Sequence, residues 1–209
     1  AQETGLILPI GYKVIQQACI ALATLIRETG LSLFMSLNIE GAQIEEPQFL
    51  EQVERYLAQS GLKPQNIKLE ILESVAYELN IEAWVQECRQ RGFQVALDDF
   101  GTGSSSLQYM NKCNFDTIKI DQSFVREFNQ EGSGNSNSIC QAIVSLAAAL
   151  KMTTVAEGIE YEHQRADLRA MGCTYGQGYV FSKPLPLEAA IAFCQDHPMA
   201  IASQTASYG

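Results

Sequence analysis

The sequence is poor in several residues that protein chemistry commonly uses. Its 209 positions hold two histidines, one tryptophan, and 14 lysines and arginines against 24 aspartates and glutamates. A net charge of -10 at pH 7 leaves no basic footprint for duplex nucleic acid, so a phosphate ligand would require metal cations or local lysines. The six cysteines, Cys19, Cys88, Cys113, Cys140, Cys173 and Cys194, form no C-x-x-C pair. That spacing argues against a zinc site or a disulfide framework and predicts reduced thiols in a cytoplasmic chain. The glycines at Gly101 and Gly103 lack the following Lys-Ser/Thr of a phosphate-cradling loop. No apolar run is expected to reach membrane-span length, and no charged-then-apolar leader opens the chain. His163 lies in a charged, helix-like stretch and His197 near the end, so neither is assigned chemistry; Trp84 is read as core.

What is present is alternation. Helical patterns over 11–29, 81–91, 138–150 and 161–171, one opened by Pro47, and another from Leu187 are interleaved with strand patterns at 31–38, 67–73, 93–98, 117–121, 153–157 and 173–179. A short helix is expected over 105–112, and EGSGNSNS at 131–138 reads as a flexible loop. Helices between strands imply βαβ crossovers and a parallel sheet. Residues 1–197 are read as one domain and 198–209 as a weakly structured tail. Six strands fall short of the eight-stranded barrel, and an open doubly wound sheet satisfies the count equally well.

The polar residues favour the barrel. Asn38, Glu70, Asp98, Asp121 and Glu157 stand at the ends of successive strands. Period-2 alternation places Ser36 with Asn38, Lys68 with Glu70, and Lys119 with Asp121 on one face, leaving the other face apolar for the helices. Strand-end acids are often helix caps or loop starters, but five in register converge on one rim, where barrel enzymes keep their sites. Crowded carboxylates call for a cation, and oxygen ligands suit Mg²⁺ or Mn²⁺. Asp98 and Asp99 can share that rim if the strand stops at Asp98 and Gly101 and Gly103 let the chain turn. Adjacent acids could then serve two metals. Lys119 is either a salt-bridge partner or a cation that orients or deprotonates water.

Four longer stretches carry a resemblance: LDDFGTGSSSL (97–107), IKIDQSFV (118–125), VAEGIE (155–160) and GQGYVFSKPLP (176–186), with SLNIE (36–40) and LEILES (69–74) as weaker companions in the same order. Together they resemble the EAL-domain family of bacterial cyclic-di-GMP phosphodiesterases. The resemblance implies a TIM-like (β/α) barrel, incomplete at the N-terminus, that hydrolyses cyclic di-GMP to linear pGpG with two Mg²⁺ or Mn²⁺ ions. By the same resemblance, Asn38, Glu70, Asp98, Asp99 and Asp121 correspond to metal ligands, and Lys119 and Glu157 to catalytic positions. Glu160 and Gln177 correspond to supporting positions, and Glu73 to the anchor of the loop that holds Gly101 and Gly103. The chain has no Glu-Ala-Leu motif, so the first barrel strand and its glutamate are missing from it. Ser104 and Leu72 also depart from the family pattern, which usually has an aromatic at the first position and often a threonine at the second. A homodimer, additional upstream domains and a membrane tether of the parent through them are further expectations. The competing expectation is a catalytically silent EAL domain that binds cyclic di-GMP or a protein.

Overall fold

The computed structural model describes residues 6–102, 110, 112–127 and 134–197. Gly103, Ser104, most of the helix expected over 105–112 and the 198–209 tail lie outside the described residues.

Six strands, β1 (Met35–Asn38), β2 (Ile67–Leu72), β3 (Gln94–Phe100), β4 (Thr117–Ile120), β5 (Thr153–Ala156) and β6 (Tyr175–Gly176), pair in sequence order, and every pairing is parallel. Around them run α1 (Ile7–Thr29), α2 (Gly41–Ile44), α3 (Phe49–Gln59), α4 (Glu73–Leu79), α5 (Glu82–Gln90), α6 (Gln122–Arg126), α7 (Gly134–Ala149), α8 (Glu162–Ala170) and α9 (Leu187–Asp196). Order without a switch point is the signature of a barrel wall rather than a doubly wound sheet. Among the described residues β1 and β6 do not pair with each other, so the wall is an incomplete barrel.

Alternation builds the two faces. Leu37, Leu69, Ile71, Val95, Leu97, Ile118 and Ile120 point out of the wall into a continuous core with Phe49, Val53 and Leu57 of α3 and Val85 and Cys88 of α5. All are buried. The opposite face, the lumen, carries Phe34, Ser36 and Asn38 at β1, Lys68, Glu70 and Leu72 on β2, Gln94, Ala96 and Asp98 on β3, Thr117 and Lys119 on β4, and Tyr175 on β6. The Phe34 and Tyr175 rings meet edge-on at 6.1 Å, so the two unpaired borders of the sheet curl toward each other.

Several boundaries differ from the sequence expectations. Helix α1 begins at Ile7 rather than Gly11, and α7 at Gly134, inside the stretch expected to be a loop. Strands β1 and β6 are shorter than their apolar runs, and α4 and α6 were not anticipated. The expectation of no apolar run of membrane length is corrected by α1. Its 23 residues include an 18-residue window of mean hydropathy 1.3, long and apolar enough to cross a membrane by length and composition. Here α1 docks on α3 and α9 and sinks Ile15, Cys19 and Leu22 into the core. Gly30 stops it in the left-handed region, with φ +70° and its N–H donated to the Ile26 carbonyl at 2.8 Å.

The turns after β5 and β6 interlock. Gln177 N–H donates to the Ala156 carbonyl, Ile159 N–H donates to Gln177, and Gly178 lies so close that a Cβ there would meet the Ile159 backbone. Gly178→Ala is therefore expected to cost about 1–3 kcal/mol by forced displacement. Gly30→Ala, with open space around it, should cost only the left-handed backbone penalty of about 1–2 kcal/mol. Urea denaturation of the two variants checks this, and a loss of less than about 1 kcal/mol in Gly178→Ala would contradict the steric part.

Candidate active site

The carboxyl ends of the strands bring four charged side chains into contact. The Lys119 ammonium, on the lumen face of β4, donates to Glu70 Oε2 at 2.7 Å, Asp98 Oδ1 at 2.9 Å and Glu157 Oε1 at 2.6 Å. Its side chain is 5% exposed. Burial by itself would push Lys119 down, but the hydrogen bonds to Glu157, Glu70 and Asp98 outweigh it and hold the ammonium well above its ordinary range. Lys119 therefore keeps its proton. Glu157 is raised, chiefly by burial, against the opposing pull of Lys119.

Asp99 reaches the same rim by a route that differs from the sequence expectation. Strand β3 does not stop at Asp98; it runs on to Phe100, and its register against β4 shifts between Leu97 and Phe100. Asp99 sits at that irregularity with φ +53°. A bulge at the aspartate itself, rather than a glycine turn after it, brings two consecutive carboxylates to one side. The left-handed backbone is a strained conformation held by its surroundings, a feature that clusters at functional sites. Asp98 Oδ1 accepts the Asp99 N–H at 3.0 Å, which fixes the kink.

The last-residue expectation also needs correction. Asn38 does end β1, but Glu70 and Asp98 stand two residues inside their strands, and Asp121 and Glu157 one residue beyond theirs. Register explains the stagger. Asn38 pairs with Glu70, whereas Asp98 pairs with Leu72, one step further along, so the rim is inclined across the tilted strands.

Asp121 caps α6, accepting the Ser123 N–H at 2.9 Å. It is also hydrogen-bonded to Asp99. Asp99 is raised by its burial and by the charges of Asp98 and Asp121, while Asp121, despite burial, is lowered by its hydrogen bonds to Ser123 and the backbone. The contact favours the protonated form of Asp99 and the ionised form of Asp121. Glu73, the first residue of α4 and buried, accepts the Gly101 N–H at 2.9 Å. On the other side of Gly101, φ +96°, a Cβ would stand 2.9 Å from the Phe124 ring of α6. The turn after β3 is thus clamped between α4 and α6.

Glu160 follows Glu157 by three residues; its N–H donates to Gln164 Oε1 at 2.9 Å and its side chain is exposed. Gln177 is placed beside it by the interlocked turns. The histidines are exposed, and Trp84 packs partly buried against the core, as expected. Extending the alternation back from Ser36 and Gln177 would have located Phe34 and Tyr175 on the lumen face, which the sequence reading missed.

Oxygen atoms of Asp98, Asp99 and Glu157 lie within 4.8 Å of one another, close enough to hold a metal ion. The donor set fits a hard divalent cation: carboxylate oxygens only, crowded closely enough to raise Asp99, and a lysine drawn into the centre. Without a metal, Lys119 is the charge that keeps Glu70, Asp98 and Glu157 together. Lys119→Met is expected to cost the metal-free protein about 3–5 kcal/mol, because the buried Glu70 and Asp98 and the half-buried Glu157 lose their counter-charge. Thermal denaturation in a chelator would show it, and an unchanged midpoint would contradict it.

Comparison with known proteins agrees with this geometry. A family model described as EAL domain matches residues 1–184. The chain is 36% identical over 195 residues to the cyclic di-GMP phosphodiesterase PdeR of Escherichia coli K12, covering 92% of this chain and 29% of PdeR. It is 34% identical over 196 residues to the cyclic di-GMP phosphodiesterase NbdA of Pseudomonas aeruginosa, covering 92% and 25%. The chain thus spans about a quarter of the length of these curated relatives. Among solved structures, the PaMucR phosphodiesterase in complex with c-di-GMP superposes with a TM-score of 0.83 at 30% identity, covering 91% of this chain and 77% of that one. With the site and the fold in agreement, the chain belongs to the EAL domain family.

Proposed function

We propose that this chain hydrolyses one phosphodiester bond of cyclic di-GMP to give linear pGpG, using two Mg²⁺ or Mn²⁺ ions. The observation that carries the reading is the cluster of Glu70, Asp98, Asp99, Asp121 and Glu157 around Lys119 at the carboxyl rim of the wall. Support comes from relatives named as cyclic di-GMP phosphodiesterases and from the complex of PaMucR with c-di-GMP.

Asn38, Glu70, Asp98, Asp99 and Asp121 would hold the ions. Divalent cations in such a site neutralise the phosphodiester and acidify water. The protein's own groups divide the remaining work. Lys119 holds its proton, so it orients and stabilises negative charge and does not act as the base. Glu157, raised by burial and at the edge of the cluster, is the better placed proton acceptor. Glu73 and Phe124 fix the turn that carries Asp98 and Asp99 and would transmit changes at α6 to the site. Glu160 and Gln177 would support the substrate side of the rim. A homodimer and upstream domains are part of the same proposal, as is a cytoplasmic location.

Turnover of cyclic di-GMP with Mn²⁺, followed by chromatography of pGpG, is the test. Glu157→Gln is expected to lower turnover at least about 100-fold while leaving the fold intact. Cyclic di-GMP bound but never cleaved by the unaltered protein would overturn the enzyme reading in favour of a signalling module.

Metal uptake should depend on pH. Asp99 is raised above the ordinary aspartate value of about 3.9. In the metal-free protein it adds stability that is fully present below that value and lost as pH rises through the raised one. A cation must displace its proton, so Mn²⁺ affinity is expected to rise with pH across this window and binding to release protons. Calorimetry in buffers of different ionisation enthalpy measures the release; no proton release would contradict the Asp99 assignment.

A further inference from the structure

The lumen has a second charged group that the proposed chemistry leaves unused. Lys68, one inward-facing position below Glu70 on β2, is 3% exposed. Among the described residues its ammonium makes no ion pair and no hydrogen bond. Two aromatic rings lie against it, with centroids 4.6 Å away for Phe34 and 5.4 Å for Tyr175. Cation–π contacts offset part of the cost of withdrawing an ammonium from water, but they leave its three N–H groups without acceptors.

The neighbours in the same row are donors too. Register places Ser36 of β1 and Gln94 of β3 on either side of Lys68, all three on the lumen face. Ser36 and Gln94 are exposed, and neither side chain is hydrogen-bonded to another described residue. A hydroxyl, an ammonium and an amide thus stand abreast on three adjacent strands, about 4.8 Å apart at the backbone, with no carboxylate in the row. Phe34 is 43% exposed. Glu70 and Asp116 act on Lys68 through their charge, but neither pairs with it, and Glu70 is engaged by Lys119.

We propose that this row is an anion site at the floor of the lumen, in which Lys68, Ser36 and Gln94 bind a phosphate group. A phosphate brings several acceptor oxygens to the unanswered donors. The site is separate from the acidic rim and does not depend on the reaction proposed there. The phosphate group could arrive as the free ion or on a nucleotide.

The test is a titration of the isotopically labelled 209-residue protein, in chelator, with inorganic phosphate and separately with GMP, followed by the backbone amides. Inorganic phosphate is expected to shift Ser36, Lys68 and Gln94 saturably, to raise the melting midpoint, and to leave Asp98 and Asp99 unmoved. Saturation by inorganic phosphate alone identifies the free ion; saturation by GMP as well identifies a nucleotide's phosphate. Lys68→Met, which keeps the apolar stem between the two rings, should abolish the shifts. Ser36→Ala, at an exposed position that leaves the fold undisturbed, should weaken binding several-fold. No saturable shift with either probe, or the same shifts in Lys68→Met, would overturn the proposal.

Discussion

A single lysine holds the carboxyl rim of this domain together. Five acids from four strand ends approach one another because the parallel wall aims them there, and like charges at that spacing would drive the strands apart. Lys119 answers three of them directly, at 2.6 to 2.9 Å, from a position almost closed to water. The other pair, Asp99 and Asp121, is hydrogen-bonded, with Asp99 shifted up and Asp121 shifted down. Lys119 thus balances only part of the negative charge of the rim, and the remainder is what divalent cations would balance.

The wall supplies the convergence, and its irregularities supply the precision. Tilted strands incline the ligand row, so residues at different distances from their strand ends arrive at one level. The bulge at Asp99 adds a second carboxylate from a strand that would otherwise offer one. Glu73 and Phe124 then pin the following turn from two neighbouring helices. Strain in the β3 backbone is sustained because packing on both sides leaves the turn no alternative.

Most of the fold and the membership of the acid cluster could be read from the sequence, because both follow from short periods. Alternation along β2, β3 and β4 separates Leu69, Val95 and Ile118 from Glu70, Asp98 and Lys119 with no knowledge of tertiary contacts. What could not be read depends on partners distant in sequence. The turn after β3 was expected to owe its shape to glycine, yet Asp99 takes the positive φ itself under a register shift set by β4. The length of α1 was hidden because its pattern continues through Pro9, which a first helical turn tolerates. That Lys119 would be shared by three carboxylates, while Lys68 two strands away forms no ion pair among the described residues, follows from side-chain reach across the lumen, to which no local pattern is sensitive.

The central claim is that the acids around Lys119 form a two-cation centre. Electron paramagnetic resonance of the protein titrated with Mn²⁺ tests it most directly, since two ions bridged by shared carboxylates couple their spins. The account predicts two Mn²⁺ per chain with an exchange-coupled spectrum that collapses to isolated ions in Asp99→Asn. Isolated Mn²⁺ signals alone in the unaltered protein, unaffected by Asp99→Asn, would contradict it.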